Sequence, residues 1–411
     1  RLPGAPGKDM NQRDKETIHR LSVRVAELAA LPIQEQKREM WRKLNGKRPV
    51  RPLVMIDQVC WNEMNVDDEL TLECADGEAR SYEWQLKATL YQWKHFPVDM
   101  VIEPFIRVPK AVAGAGLGVG VKERTAVLDP ANSVVGHAYV NQFETDDDLD
   151  KIKMPVVTHD AAETQRRLDV AQELFRGTLE VIAEGVMPSL SVWDPISTWM
   201  SVEQALYALV DRPDYMRELA RRMVRGYVAM LDQLEEQGLL CSGQSLIHCT
   251  GAYTEELPAP GFDPRKPRTK DIWMYGLAQM FSTVSPAMFE EFEVELCRPL
   301  FERFGLVYYG CCDPLDKKMS QVRKIPHVRK VSMSPFVDEE VGAAAIGGEY
   351  VFSRKPNPAL LAWPQFREDE VRRHLQQTVD ICARHGCPLE IILKDISTVN
   401  HEPSRLWKWA R

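Results

Sequence analysis

The sequence has no run of apolar residues that approaches the roughly 20 needed to cross a bilayer. It also has no excess of positive charge, because 52 lysines and arginines stand against 60 aspartates and glutamates, and the net charge is −8 over 411 residues. Such a balance gives no broad attraction to nucleic acid or to an anionic membrane surface. We therefore expect neither a nucleic acid nor a membrane as a partner.

Cysteine is too sparse and too scattered for a disulfide scaffold. The nine cysteines include no Cys-x-x-Cys pair, and secreted disulfide-rich domains are shorter and richer in cysteine. The first twenty residues are polar and charged, without the apolar core of a signal peptide. We expect a cytoplasmic protein whose free thiols serve in packing or in metal binding.

Short apolar runs recur along the chain, with helical patterns in most of the intervals between them. Strands that alternate with helices indicate a parallel sheet, and eight such units predict an α/β protein with a (β/α)₈ TIM barrel. An open doubly wound sheet is the alternative. The eight strand candidates are residues 52–57, 98–105, 186–192, 245–249, 306–311, 330–334, 350–353 and 390–394.

The spacing of these runs predicts one domain and an appendage. Residues 1–50 read as an N-terminal helical arm, because apolar residues recur there at three- and four-residue intervals. Residues 51–411 read as the barrel. Two intervals exceed one barrel helix: a β-rich insertion at about 106–158 and a proline-containing loop at about 251–271. We expect both to lie over the carboxyl-end mouth of the barrel, where such folds build their sites.

Polar residues collect where the candidate strands end. In a barrel these ends meet around one mouth. Taken singly, most of these side chains would cap helices, set turns or pack in the core. Together with a thiol pair and an imidazole they favour a catalytic mouth. The candidate site residues are Trp61, Asn62, Glu103, Phe105, Trp193, His248, Tyr309, Cys311, Cys312, Asp313, Phe336, Lys355, Lys394 and Asp395.

A metal site is one reading of this set. Cys311, Cys312 and His248 supply the thiolate and imidazole donors that zinc prefers, with Glu103 and Asp395 as further ligands or proton donors. Neighbouring strand residues point to opposite faces, so only one of the two thiols is expected to face the pocket. We expect that thiol to be Cys312. The alternative is that both are buried core thiols.

Two other groups of residues could bind a ligand or could have only a structural role. Lys355 and Lys394 could hold a carboxylate or phosphate, or could only neutralise nearby carboxylates. The aromatic rings could line an apolar substrate pocket or pack in the core. Those rings are Trp61, Phe105, Trp193 and Phe336.

Several segments resemble the uroporphyrinogen decarboxylase superfamily, which implies a (β/α)₈ barrel from about residue 51 onwards. Residues 285–292, Ser-Pro-Ala-Met-Phe-Glu-Glu-Phe, resemble the Ser-Pro-x-x-Phe segment of the family. Residues 306–313 resemble the strand that carries His-x-Cys-Gly in its zinc methyltransferase branch. Lys355-Pro356-Asn357-Pro358 resembles the Gly-Asn-x-Asp-Pro turn, and residues 393–397 fall where the family has Gly-His-Gly-Ile or a metal-binding cysteine.

Departures from the family pattern separate its branches. The loop after the first strand has no arginine, which argues against porphyrinogen decarboxylation, whereas Cys311 and Cys312 match the thiol of the methyltransferases. Tyr309 or Gly310 stands where that branch has a histidine, and Asp395 or a neighbour where it has a cysteine. The chain is most similar to substrate-side methyltransferases of corrinoid-dependent demethylation.

The resemblance implies a transferase of anaerobic one-carbon metabolism. It would move a methyl group from a small methylated substrate, such as an aryl methyl ether, to the cobalt of a separate corrinoid (cobalamin-type) protein, with zinc assisting. Asp395, Glu103, Lys394 and Asp313 are then the expected catalytic groups, and Tyr309 and Asn62 join the substrate-binding set.

Three alternatives stay open at this point. They are transfer from a methylcorrinoid to a thiol, a decarboxylase or lyase of a small carboxylic acid, and a non-catalytic binding protein. A homodimer is an open option.

Overall fold

The computed structural model describes residues 10–127, 130 and 134–411. The first nine residues of the predicted arm, and positions 128–129 and 131–133 of the predicted insertion, lie outside the described residues. Helices and strands alternate along most of the described chain, so the prediction of a mixed α/β protein is confirmed.

Helices account for most of the intervals between strands. None of those described has both the length and the apolar character needed to cross a membrane. A π-helical turn, Glu290–Glu295, joins α8 to α9. In chain order the α-helices are α1 (Gln12–Ala29), α2 (Pro32–Asn45), α3 (Gly77–His95), α4 (Ala161–Leu174), α5 (Trp193–Met200), α6 (Val202–Asp211), α7 (Pro213–Glu236), α8 (Pro286–Phe289), α9 (Leu296–Phe301), α10 (Met319–Val322), α11 (Glu339–Ile346), α12 (Ala359–Ala362), α13 (Glu368–His385) and α14 (Ser404–Trp409).

The strands are short, from two to six residues. In chain order they are β1 (Leu53–Ile56), β2 (Phe105–Pro109), β3 (Val112–Ala113), β4 (Glu123–Ala126), β5 (Gly136–Tyr139), β6 (Thr158–His159), β7 (Glu180–Glu184), β8 (Ser189–Leu190), β9 (Leu246–Ile247), β10 (Thr250–Gly251), β11 (Trp273–Gly276), β12 (Leu306–Tyr309), β13 (Val328–Met333), β14 (Val351–Arg354) and β15 (Leu389–Leu393).

A parallel sheet of seven strands forms the centre of the fold, in the order β1–β15–β14–β13–β12–β11–β8. Each neighbouring pair in it is parallel. Strands β11, β12 and β15 are buried at every position. Sheets covered on both faces have such continuous apolar strands, which is why their sequences do not alternate.

Strands β2 and β7 form a separate parallel pair. Among the described residues no ladder joins this pair to β1 or β8, so those two strands are the edges of the seven-stranded sheet. A single parallel bridge, Val186 with Leu240, lies just before β8. The large parallel sheet is therefore confirmed, and its closure into a barrel stays a prediction.

The segment 245–249 does not form a wall strand, and this prediction is wrong. Instead β9 and β10 pair as an antiparallel hairpin with a two-residue turn, His248–Cys249. His248 has a φ of 51°, which ends the extended run. Strand β11 takes the position in the sheet, and its Trp273 N–H donates to the side-chain oxygen of Gln244 at 2.7 Å.

The N-terminal arm packs on the rest of the chain through both helices. The Asn11 side chain caps α1 by accepting from the Asp14 N–H at 2.8 Å. One face of α1 is buried and packs beside α3. Helix α2 carries Trp41, whose indole N–H donates to the Asp99 carbonyl at 2.9 Å. Arg329, near the start of β13, donates to the Asn45 carbonyl, so α2 lies towards the amino ends of the strands.

The loop at 251–271 also lies towards the amino ends of the strands. Glu256 pairs with Arg329, the second residue of β13, and Glu255 pairs with Arg48, which precedes β1. The prediction that this loop covers the mouth is therefore wrong, because its acidic residues pair with arginines at the opposite end.

The insertion contributes β2 and the short strands β3 to β6. Strands β4 and β5 form an antiparallel, largely exposed hairpin. Tyr139 of β5 lines a surface cleft together with Asp194 and Gln279, which follow β8 and β11. This part of the insertion therefore lies beside the carboxyl ends of the sheet.

Candidate functional site

The ammonium of Lys394 lies at the centre of a polar cluster at the carboxyl ends of β12 and β15. Its Nζ is 3.0 Å from Cys311 Sγ, 3.1 Å from Asp395 Oδ2 and 3.2 Å from His248 Nε2. An ammonium has three N–H donors and no acceptor. Cys311 and His248 are its hydrogen-bond partners, Asp395 forms an ion pair with it, and the Lys394 side chain is only 4% exposed.

Both thiols of the pair lie in this cluster. Cys311 Sγ is 3.6 Å from Cys312 Sγ, and the Cys312 thiol donates to Asp395 Oδ2 at 3.7 Å. Cys311 is the buried thiol and Cys312 the half-buried one, but both sulfurs reach the cluster because β12 ends at Tyr309 and Gly310 follows with a φ of 91°. Strand alternation no longer applies beyond that point. Cys312 is the more exposed of the two, as expected.

Asp313 shapes the turn that carries the thiols. Its Oδ1 accepts the Cys311 N–H at 3.1 Å, and the side chain is buried. Burial raises the pKa of Asp313 to about 6. A carboxyl bonded to its own turn supports the position of Cys311 rather than facing the mouth.

His248 reaches the cluster from the turn of the hairpin that β9 and β10 form, which we call the inner hairpin. Its ring stacks on Tyr275 with centroids 4.1 Å apart, and the Tyr275 hydroxyl lies 3.3 Å from His248 Nε2. Tyr275 was missed in the sequence because the four-residue strand β11 was missed. A tyrosine in a short apolar run before glycine was the signal that could have revealed it.

The electrostatics of the cluster favour a charged Cys311 sulfur. Contact with Cys312 lowers the pKa of Cys311 most, and His248, Lys394 and Tyr275 add to this against the opposing effect of burial. The same contact and burial raise the pKa of Cys312. Burial alone would lower the pKa of Lys394, but the sulfurs of Cys311 and Cys249 raise it.

Two members of the cluster have unusual backbone conformations. His248 and Asp395 have φ values of 51° and 55°. This left-handed region costs a non-glycine residue roughly 1–3 kcal/mol and is found most often at functional sites. The two strained residues flank Lys394, and each supplies one of its acceptors.

Lys355 lies beneath the cluster and is closed to solvent. It is 2% exposed, donates to Ser353 Oγ at 2.7 Å and contacts the Tyr308 hydroxyl. Burial lowers the pKa of Lys355 to about 8. Its donors are occupied by the protein, so of the two predicted lysines only Lys394 reaches the mouth.

Glu103 lies apart from the thiols. Arg38 Nη2 donates to its Oε2 at 2.7 Å, while Ser245 and Tyr253 donate hydroxyls to its Oε1 at 2.7 and 2.6 Å. These contacts hold the carboxylate in the wall of a cavity instead of beside Cys311.

That cavity has a volume of about 460 Å³ and lies between β1 and β2. Phe105 lines it, as do Met55 and Ile106 from the two strands. Cys249 and Asp57 also line it. Burial and the charge of Asp57 raise the pKa of the Cys249 thiol, and Lys394 and Lys355 oppose this only in part. Because Cys249 follows His248 directly, the cavity and the Lys394 cluster are adjacent.

The remaining predicted substrate-binding residues are dispersed. Trp193 is fully buried and donates its indole N–H to the Phe292 carbonyl, and Tyr309 is buried with its hydroxyl donating to Glu293 at 3.1 Å, so both belong to the core. Phe336 is 75% exposed. Trp61 and Asn62 lie in a half-buried turn after β1, where Trp61 packs edge-on against Trp84 at 5.5 Å.

The predicted zinc ligands are close together but surround an ammonium. In the described part of the chain no group of three or more His, Cys, Asp and Glu side chains is arranged to hold a metal ion. Lys394 Nζ occupies the space between Cys311, His248 and Asp395 that such an ion would need. The residues as placed do not fit the metal, and zinc stays a prediction of the resemblance alone.

Comparisons with known proteins add little. No protein-family model matches the chain, and no curated protein matches it. A solved structure, the methyltransferase from Methanosarcina mazei, is similar to it with a TM-score of 0.47 and 11% sequence identity. The match covers 90% of this chain and 97% of that one. At this distance it carries no argument about individual residues.

Proposed function

We propose that the protein is a methyltransferase that moves a methyl group from a small methylated donor, such as an aryl methyl ether, to the cobalt of a separate corrinoid protein. The observation that supports this most is the Lys394 ammonium, held beside Cys311, His248 and Asp395 and next to a largely apolar cavity. In this proposal β2 and β7 close the sheet into a (β/α)₈ barrel around the site, with β7 and β8 counted as two parts of one interrupted strand.

The reaction needs charge stabilisation at the leaving oxygen. When the bond between oxygen and methyl breaks, the oxygen keeps the electron pair, and the cobalt of the partner supplies the pair for its new bond to carbon. An alkoxide or phenolate is a poor leaving group unless a cation or an acid stabilises it. Lys394 is a fixed cation and proton donor at the mouth, and Asp395 orients it.

The cavity between β1 and β2 is the proposed donor site. Its volume of about 460 Å³ falls in the range of small-molecule pockets, which are mostly apolar with a few polar anchors. Phe105, Met55 and Ile106 form part of the apolar wall, and Asp57 and the turn residue Cys249 also line the cavity. Lys394, Cys311 and His248 do not line this cavity, so the proposal requires the ether oxygen of a methoxylated ring to extend past Cys249 to Lys394.

A decarboxylase or lyase of a small carboxylic acid is the second candidate. It is favoured by the same ammonium, which can hold a carboxylate or stabilise the charge that builds up when carbon dioxide leaves. Of the two candidate lysines only Lys394 could serve in this way, because Lys355 is enclosed by Tyr308 and Ser353. Methyl transfer from a methylcorrinoid to a thiol is the reverse direction of the first proposal.

The decisive experiment mixes the purified protein with reduced free cobalamin and a panel of methyl donors. The panel contains methoxybenzoates, methanol and methylamines, and the readouts are the cobalamin spectrum and the demethylated product by mass spectrometry. We expect turnover with a methoxylated aromatic, and at least a 100-fold loss in Lys394→Met. Lys43→Met, on the exposed face of α2, is the matched control.

Two outcomes would redirect the proposal. Release of carbon dioxide from small carboxylic acids, without methylation of cobalamin by any donor, would favour the second candidate. Activity unchanged in Lys394→Met would remove the ammonium from the chemistry.

Thr89→Trp, which narrows the cavity from α3, should raise KM for the donor while leaving kcat within a few-fold.

A further inference from the structure

We propose that the ammonium of Lys394 takes the place of a metal ion, so that the mouth is a metal-free site organised by a lysine. The inference does not depend on the proposed methyl transfer, because metal binding can be measured without turnover. It concerns Cys311, His248 and Asp395, which would otherwise be candidate metal ligands.

The distances around Nζ are those of hydrogen bonds. Its three neighbours lie at 3.0, 3.1 and 3.2 Å. Charge-assisted bonds to an ammonium are usually about 2.7–3.2 Å, whereas zinc lies about 2.3 Å from sulfur and about 2.0–2.2 Å from nitrogen or oxygen. Two of these neighbours, Cys311 and His248, are hydrogen-bond partners and the third, Asp395, is an ion-pair partner, so the ammonium is held by the donor set itself.

A zinc ion would compete with Lys394 for the same space. Bound to Cys311 and His248, the ion would have to lie between their donor atoms, where Nζ already is. The Lys394 side chain is nearly enclosed, at 4% exposed, and the contacts with Cys311, His248 and Asp395 hold its ammonium in this space. Two positive charges a few ångströms apart in a buried site repel strongly, so the site holds one cation or the other.

The donor atoms themselves are spaced as a metal site would space them. Two sulfurs bound to one tetrahedral zinc are about 3.8 Å apart, and a sulfur and a nitrogen are slightly closer. Cys311 Sγ lies 3.6 Å from Cys312 Sγ and 3.8 Å from His248 Nε2, and Cys312 Sγ lies 3.7 Å from Asp395 Oδ2. Three pairs of donor atoms therefore have the spacing of a metal site, although the set as a whole is not arranged around one ion while Lys394 lies among it.

The inference has a positive consequence for variants. Removing the ammonium should convert the cluster into a metal site, because two thiols, an imidazole and a carboxylate would then share an empty centre. Lys394→Ala should bind about one equivalent of Co²⁺ or Zn²⁺ at least 100-fold more tightly than the wild-type protein. The double variant Lys394→Ala/Cys311→Ala should lose most of that gain.

The test uses the full chain and Co²⁺ as the probe, since cobalt–thiolate absorption reports sulfur ligation directly. We expect no such band in the wild-type protein, a band in Lys394→Ala, and none in the double variant or in the surface control Lys43→Ala. Elemental analysis of proteins grown with zinc should give the same order. Circular dichroism establishes that each variant is folded.

Either of two results would overturn the inference. A wild-type protein that carries about one equivalent of zinc, lost in Cys311→Ala, would show that the lysine yields to the metal. A folded Lys394→Ala without affinity for Co²⁺ would show that the ammonium does not hold a metal's position. If Lys394→Ala fails to fold, Lys394→Met replaces it in the test, because methionine keeps most of the side-chain volume. The zinc content of the wild-type protein can be measured without either variant.

Discussion

The ammonium of Lys330 lies 2.7 Å from a carboxylate oxygen of Glu390, and both side chains are fully buried between β13 and β15. The same oxygen accepts from the Thr250 hydroxyl at 2.8 Å, and Lys330 also donates to the Gly251 carbonyl at 3.0 Å. The pair therefore ties the inner hairpin to the sheet. Since the tip of that hairpin carries His248, a buried ion pair well below the mouth positions a residue within it.

Breaking this pair should be costly. Removal of one partner leaves the other charge buried without compensation, which typically costs about 3–5 kcal/mol. We expect Lys330→Met to lower the free energy of unfolding by that amount in urea at pH 7. The double variant Lys330→Met/Glu390→Gln should recover much of the loss. A loss below about 1 kcal/mol in the single variant would contradict this account.

The hairpin also depends on a close approach between Gly251 and Trp41. A Cβ on Gly251 would lie 2.5 Å from the Trp41 ring, and that ring is buried. Overpacking of a core usually costs about 1–3 kcal/mol. We expect Gly251→Ala to destabilise the protein by this amount. Gly77→Ala, where an added Cβ meets nothing within 4 Å, is the control and should change stability by less than about 1 kcal/mol.

The strands of the seven-stranded sheet could largely be read from the sequence. Residues 52–57, 306–311, 330–334, 350–353 and 390–394 were continuous apolar runs, and β1 and β12–β15 lie within or beside them. The same reading brought Cys311, Lys394 and Asp395 to one edge of the sheet, since the carboxyl ends of parallel strands meet there.

What lies inside the sheet could not be read in that way. The run 245–249 has the composition of a buried strand. Sequence does not distinguish a strand of the large sheet from a buried strand that pairs elsewhere, because both are apolar. Three features depend on tertiary structure. They are the left-handed φ of His248, the bond from Thr250 to Glu390 and the position of the short strand with Tyr275. The central role of Lys394 likewise depends on distances, because sequence alone allowed a lysine to be only a neutralising neighbour.

Cys311 should behave as a thiolate at neutral pH. Contact with Cys312, aided by His248 and Lys394, lowers its pKa from the ordinary value of 9.0. The thiolate should thus persist as the pH falls from 9 to 6, whereas an ordinary thiol becomes protonated. We expect the ultraviolet absorbance of wild type minus Cys311→Ser to show about one thiolate at pH 7.

Lys394→Met should move this titration to higher pH, because it removes a cation 3.0 Å from the sulfur. Cys297→Ser is the control, since burial raises the pKa of Cys297 and it should contribute no thiolate at pH 7. A Cys311 difference spectrum that titrates near pH 9 in the wild-type protein would be inconsistent with the cluster as described.

Glu293 should make the stability of the protein depend on pH in an unusual direction. It is buried in the π-helical turn, where Cys297 donates to Oε2 at 3.2 Å and Tyr309 to Oε1 at 3.1 Å. Burial raises its pKa to about 8, with Asp194 and Asp313 adding to the shift. The folded protein therefore retains a proton that the unfolded chain loses above its own pKa of about 4.3.

Because the folded state binds more protons in this range, the free energy of unfolding falls by up to about 1.4 kcal/mol per pH unit as the pH rises from about 4.3 to about 8. Above about pH 8 it levels off. Glu293→Gln stays neutral and escapes this loss. Its free energy of unfolding relative to the wild-type protein should therefore increase steadily between pH 5 and pH 8 in urea titrations. Glu291→Gln, an exposed neighbour paired with Arg217, is the control and should show no such trend. The same difference at pH 5 and pH 8 for Glu293→Gln would mean that this carboxyl is already ionised in the folded protein.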